Sequence, residues 1–193
     1  MATKEAIMIG GPNGAGKTTA AFILLPGHLL RIREFVKADE IARGLSPLNP
    51  EGSAVAAGRL LIDRIGTLVQ AGESFAFETT CSGRGHVRTM KACRGAGYRL
   101  TLIFLWLPSP EMALARVARR IREGGHAVPN DVVVRRYHAG LRNMRHLYLP
   151  LVDVAAIYDN SDGGTVLIAE RQRDASFIIH NEARWSLIEE ATR

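Results

Sequence analysis

Short apolar runs alternate along this chain with stretches in which apolar residues recur every three or four positions. "EAIMIG" (Glu5–Gly10), "EFVKA" (Glu34–Ala38), "SFAFETT" (Ser74–Thr80), "RLTLIFLWL" (Arg99–Leu107), "VAAIYDN" (Val154–Asn160) and "TVLIAE" (Thr165–Glu170) predict strands. A first helix is expected to start in the glycine-rich segment after Gly10 and run to about Leu25, where Pro26 and Gly27 stop it. Val55, Gly58, Leu61, Ile65 and Leu68 mark an amphipathic helix ending near Gly72. Ser82 is placed to cap the next one, which ends at "GAGY". Helices are expected over 110–123 and 131–148, and a last one with Phe177, Asn181, Trp185 and Ile188 on one face. Near-continuous apolar strands alternating with helices predict a three-layer α/β fold, its mostly parallel sheet covered on both faces.

Between the first strand and the first helix stands "GPNGAGKT", Gly11 to Thr18, a full match to G-x-x-x-x-G-K-[ST]. The chemistry explains each fixed position. Glycines let successive backbone N–H groups converge on one anion, and the following helix points its positive end at the same place. Gly11, Pro12, Asn13, Gly14, Ala15, Gly16, Lys17, Thr18 and Thr19 are therefore the expected ATP-binding residues. Lys17 would reach the β- and γ-phosphates, and the Thr18 hydroxyl would ligate Mg²⁺.

Composition bounds the setting. At 193 residues the chain has the size of a single domain. Its longest apolar run, Leu100–Leu107, is far too short to span a bilayer, and the start "MATKEAIMIGG" lacks a signal-peptide core. A cytoplasmic address without membrane contact is expected. Cys81 and Cys93 have no metal-ligand spacing and read as structural. The net charge is +6, and the excess is local: between Met112 and His146, arginines stand at 116, 119, 120, 122, 135, 136, 142 and 145 against only Glu123 and Asp131. Such a surface suits phosphate-rich ligands.

Which phosphate chemistry is meant depends on the acids. No Asn-Lys-x-Asp motif of a GTPase is present, and the strand "LTLIFLWL" ends without the acids of a motor ATPase. Acids instead end two other strands: Asp39 after "FVKA" and Glu78 in "FAFETT". Ligands of parallel sheets bind beyond the carboxyl ends of the strands, so both carboxylates should face the phosphate loop. Asp39 there can take a proton from an attacking hydroxyl and help hold Mg²⁺; its bland alternative is a helix cap before "EIARG". Glu78 can equally be a structural carboxylate.

On the helix near 110–123, Leu114, Val117, Ala118 and Ile121 share one face, with Arg116, Arg119 and Arg120 opposite. Arg116 and Arg120, one turn apart, can clamp a transferring phosphoryl group. Arg135 and Arg136 on the returning helix can complete the clamp, and "EGGHAVPN" between the helices reads as the tip of a closing lid spanning about 110–149. His126 in that tip is a loop histidine that either packs or contacts ligand. Val134, Tyr137, Leu141, Met144 and Tyr148 form the returning helix's packing stripe.

In this order, "GPNGAGKTT", "FVKADEIARGLSP", "FETTCSGR", "ALARVARRIREGGHAVPNDVVVRRY" and "LPLVDVAAIYDNS" resemble the zeta toxin family of P-loop kinases, over roughly Lys4 to Ser161. The resemblance implies sheet order 2-3-1-4-5 and phosphorylation of a sugar hydroxyl, in the best-known members that of UDP-N-acetylglucosamine. It implies Lys17 on the phosphates, Asp39 as general base, and Arg116 and Arg120 as lid arginines. Glu78, Thr79 and Thr80 would meet the acceptor, with Arg84 in the loop beyond. It also implies an antitoxin partner, which this sequence alone does not display. Two other classes stay open. One is a nucleic-acid-acting P-loop kinase working on RNA ends, disfavoured by an aromatic content of 6% that leaves few stacking platforms. The other is a nucleotide-binding regulatory module without transferase activity.

Overall fold

Among the described residues, seven strands form one sheet: β1 (Glu5–Gly10), β2 (Glu34–Val36), β3 (Phe75–Thr79), β4 (Arg99–Trp106), β5 (Val154–Asp159), β6 (Val166–Arg171) and β7 (Ile178–Ile179), in the order β2-β3-β1-β4-β5-β6-β7. The structure is a computed structural model and describes residues 3–24, 32, 34–124, 127–172 and 175–193. Pairs from β2 to β5 are parallel, so the order 2-3-1-4-5 is present. β6 and β7 extend the sheet in the antiparallel sense, with a register shift at Ile157/Tyr158.

Helices α1 (Lys17–Leu24), α2 (Ala38–Leu45), α3 (Ala54–Ala71), α4 (Gly85–Gly95), α5 (Pro110–Arg122), α6 (Asn130–Asn143) and α7 (Glu182–Ala191) accompany it. β1 lies between β3 and β4 in the interior of the sheet and is covered on both faces, which is why Ala6 to Ile9 are all buried and the strand reads as an unbroken apolar run. Phe75, Phe77 and Phe104 from the flanking strands are fully buried beside it; each such ring contributes about 1.5–3 kcal/mol by leaving water. Tyr98 closes one end of the core, its hydroxyl donating to the carbonyls of Leu68 (3.2 Å) and Glu73 (2.8 Å). None of the described helices is long and apolar enough to cross a membrane.

Several sequence expectations need correction. The first helix's expected stop at Leu25–Gly27 lies outside the described residues. β2 ends at Val36, and α2 starts at Ala38 with Lys37 at the cap, so Asp39 is a first-turn residue and not a cap. Ser82 does not cap α4, which begins at Gly85 behind Arg84; its hydroxyl pairs with Thr80 instead, at 2.8 Å. On α5 the buried positions are Ala113 and Val117, while Ala118 and Ile121 are exposed. Helical spacing puts residues on one face but cannot say how far along the helix a partner covers that face. The expected helix to Tyr148 is α6 followed by a π-type turn, Met144–Tyr148, and a 3₁₀ turn, Leu149–Leu151. Phe177 and Asn181 precede α7: Asn181 caps it, accepting from the Arg184 N–H at 3.1 Å, while Phe177 still packs on Trp185 with ring centroids 5.0 Å apart.

At Gly140, α6 comes directly against the segment that follows β3. A Cβ there would overlap the carbonyl oxygen of Thr80. Gly66, in the middle of α3, has open space where its Cβ would be. Gly140→Ala is therefore expected to lower unfolding free energy by about 1–3 kcal/mol, and Gly66→Ala to raise it by about 0.5–1 kcal/mol. Urea denaturation of the two variants beside the parent checks both signs.

Candidate active site

The site is set by register. Ile9 of β1 is level with Glu78 of β3, and Gly10 with Thr79, so the acid strand end comes up beside the strand that feeds the phosphate loop. From Gly11 the chain turns through left-handed backbone at Gly11, Gly14 and Gly16 (φ +146°, +78° and +73°). A Cβ at Gly14 would stand 2.9 Å from Arg116 Cβ, and one at Gly16 would stand 2.8 Å from Asn160 Nδ2. Both neighbours hold the loop. Asn160 Nδ2 donates to Ala15 O at 2.7 Å, and Arg116 Nη1 reaches Gly14 O at 3.5 Å.

Lys17 opens α1 and arches back over the loop, donating from Nζ to the carbonyls of Gly11 and Pro12, both at 3.0 Å. Burial pulls its ammonium below the ordinary lysine value, and the carboxylates of Glu78 and Asp39 oppose that fall. The next residue, Thr18, donates its hydroxyl to Glu78 Oε1 at 2.6 Å. A hydroxyl and a carboxylate joined at the mouth of an anion-binding loop are the hard oxygen donors that Mg²⁺ takes, and the glycine cradle leaves the approach to the backbone open. The residues present thus fit a magnesium-bound triphosphate.

A single cleft of about 1490 Å³ runs over these groups. Of the loop, Asn13, Gly14, Gly16, Lys17, Thr18 and Thr19 line it; Gly11, Pro12 and Ala15 are buried behind them. Asp39, Glu78, Thr79 and Thr80 line the same cleft, and so do Arg116, Arg120, Arg135 and Arg136 from the two helices after β4. Arg84 is exposed at the start of α4 and does not line the cleft, whereas His86, two residues on, does. His86 lies against Phe77 at 5.0 Å between ring centroids, and burial lowers its pKa, which keeps the ring neutral. His126 lies outside the described residues. Asn160 and His86 escape sequence reasoning because single polar residues carry no periodic signal. Arg135 and Arg136, expected from the sequence to complete the arginine clamp, do line the cleft.

The acceptor-side loop is clamped from α6. Asn143 is buried and donates from Nδ2 to both Cys81 O and Ser82 O at 3.0 Å, and the Tyr148 hydroxyl donates to Gly83 O. Cys81 occupies left-handed backbone (φ +58°), and its N–H is held by Thr79 Oγ1 at 3.0 Å. Burial raises the Cys81 thiol to about 12, so it is inert filler between the two loops, not a nucleophile.

A phosphate loop after β1, a five-strand parallel order 2-3-1-4-5 and an arginine-bearing helical pair after β4 define a P-loop-type three-layer α/β fold. The chain belongs to the family of an uncharacterised protein of Haemophilus influenzae, with which it is 30% identical over 133 residues, 69% of this chain and 92% of that protein. Among solved structures it is similar to one from the PezAT chromosomal toxin–antitoxin system of Streptococcus pneumoniae: TM-score 0.72, 18% identity, 99% of this chain and 79% of the other. It is similar again to AvrRxo1-ORF1:-ORF2 with ATP: TM-score 0.73, 17% identity, 98% of this chain and 64% of the other. At such identities the likeness is one of fold. No protein-family model matches the sequence.

Asn143→Leu removes both clamp donors and leaves two carbonyls facing an apolar side chain. It is expected to lower unfolding free energy by about 2–3 kcal/mol. Denaturant titration measures this, with Asn143→Gln expected to recover part of the loss.

Proposed function

We propose that this protein is an ATP- and Mg²⁺-dependent kinase that phosphorylates a hydroxyl of a small sugar-containing acceptor, with UDP-N-acetylglucosamine as the first candidate. One observation carries the reading: Thr18 bonds Glu78 at 2.6 Å at the mouth of the phosphate loop, in the same cleft as Asp39 and the α5–α6 arginines. A GTPase switch or a motor needs no such acceptor wall facing a basic helical pair.

In this reading Lys17 and the loop's N–H groups hold the β- and γ-phosphates, and Thr18 with Glu78 presents oxygen donors to the metal. Mg²⁺, when bound, supplies charge neutralisation across the two phosphates. Asp39 accepts the proton of the acceptor hydroxyl as its oxygen bonds to the γ-phosphorus and the bond from that phosphorus to the β–γ bridging oxygen breaks, releasing ADP. Arg116 and Arg120 stabilise the charge on the group in transit. The helical pair over about 110–149 acts as a lid on one kinase domain, 1–193. Thr79 and Thr80 contact the acceptor, as do Pro50, Glu51 and Ala54 at the start of α3, which line the same cleft. Arg84 would join them only through a change in its exposed position.

The reading extends to a cytoplasmic setting, where ATP and nucleotide sugars are found, and to a protein antitoxin. Support for the latter is the likeness to chains from PezAT, a toxin–antitoxin system, and from the AvrRxo1-ORF1:-ORF2 complex.

Transfer from labelled ATP to UDP-sugars, simple sugars, nucleosides and RNA ends is the deciding assay. Asp39→Asn is expected to lower transfer about 10²–10⁴-fold while ATP binding stays near that of the parent. Lys17→Ala should lose both. Unimpaired transfer in Asp39→Asn would remove the base role. Transfer confined to RNA ends would replace the sugar acceptor, and binding without any transfer would leave a nucleotide-binding module.

A further inference from the structure

Asp159, the last residue of β5, is a carboxylate only 2% exposed, and the proposed reaction does not use it. Both its oxygens are engaged. Oδ2 faces Arg184 Nη1 of α7 at 2.6 Å, and Oδ1 accepts the backbone N–H of Ser161 at 2.8 Å. The Ser161 carbonyl in turn accepts from Arg116 Nη2 at 2.5 Å. Between these two residues, Asn160 donates to Ala15 O of the phosphate loop at 2.7 Å and accepts from the Thr165 hydroxyl at 3.2 Å. One short turn thus holds the lid arginine with one residue and the phosphate loop with the next, and its orientation is fixed from α7.

We infer that Arg184 is a positioning residue: through Asp159 and the Asn160–Ser161 turn it sets where Arg116 and the Ala15 segment of the phosphate loop stand. Burying the Asp159 carboxylate costs hydration that its pairing with the partly exposed Arg184 serves mainly to offset, so the pair is a poor device for stability alone. What it supplies is direction. With both oxygens bonded, the carboxylate cannot rotate, so the Ser161 N–H and the carbonyl beyond it point one way.

The anchor itself is firm. Asn181 caps the α7 backbone at the Arg184 N–H, at 3.1 Å. The adjoining Trp185 is buried against Phe177 and beneath the Arg145 guanidinium, 5.3 Å from the ring centre. Arg145 also pairs with Glu189 one turn further along α7, at 3.0 Å. The second nitrogen of Arg184 reaches only Asp162, at 3.5 Å and 80% exposed, so Asp159 is its principal partner. The catalytic part of this inference rests on the role proposed above for Arg116. The mechanical part, from Arg184 to the loop, does not.

Amide hydrogen exchange of the full chain without nucleotide tests the mechanical part. In Arg184→Leu, amides over 11–18 and 160–165 are expected to exchange about tenfold faster, with β1 and β3 unchanged. Arg184→Lys, which keeps a cation on Asp159, should recover most of the protection. Should Arg184→Leu not fold, Asp159→Asn keeps an acceptor for the Ser161 N–H while removing the buried charge, and the same pattern is expected at smaller size. Unchanged exchange over 11–18, or uniform acceleration following a lowered Tm, overturns the relay.

A double-mutant cycle on the rate of γ-phosphate release from ATP tests the catalytic part. Arg184→Leu should lower kcat about fivefold in the parent, the effect of about one hydrogen bond, and much less when Arg116 is already alanine. Equal losses in both backgrounds overturn it. A parent that neither releases phosphate from ATP nor transfers it to any acceptor of the panel above defeats the kinase reading and leaves the exchange result to decide the relay.

Discussion

The parallel pairing of β1 with β3 is the constraint on which the rest of the molecule depends. Because Ile9 is level with Glu78, the phosphate loop and the acid strand end emerge side by side at one edge of the sheet. Had the register slipped by one residue, Glu78 would point to the other face and Thr18 would lose its partner. The two strands themselves are apolar: Ala6 to Ile9 on one and Phe75 to Phe77 on the other, all buried, with the Glu5 N–H donating to Ser74 Oγ at 3.0 Å where the pair begins. The polar site is thus a consequence of the apolar core beneath it.

Around that pairing, two segments distant in sequence each hold one of the two loops. Asn143 and Tyr148 near the end of α6 bind the carbonyls after β3, and the Asn160–Ser161 turn after β5 binds the phosphate loop and Arg116. Backbone carbonyls buried near a ligand site need donors, and these side chains are the donors. A site assembled this way is positioned from the sheet side and from the lid side together. That matters for phosphoryl transfer, in which placement and charge stabilisation do nearly all the work.

Much of the fold was legible in the chain. Strand starts and ends agree within one or two residues for β1, β3, β4 and β5, because fully buried parallel strands leave unbroken apolar runs. The terminal helix was less legible. Phe177 and Trp185 do pack together, but from a loop and a helix, so a shared apolar face was mistaken for a shared helix. The phosphate loop was legible residue by residue, since its chemistry fixes residue types at fixed spacing. Asn160 and Asn143 were not, because a side chain that serves one distant carbonyl leaves no local pattern.

By itself the sequence determined the strand–helix alternation, the anion-binding loop at Gly11–Thr18 and the arginine-rich segment after β4. Those are local properties, written in apolar period and residue type. Only the tertiary structure decided that Thr18 meets Glu78, that Arg84 stands outside the cleft while His86 lines it, and that Arg184 reaches the buried Asp159. These pairings join residues on different elements, well separated along the chain. They are set by how the strands stack and in what register, which no window along the sequence contains.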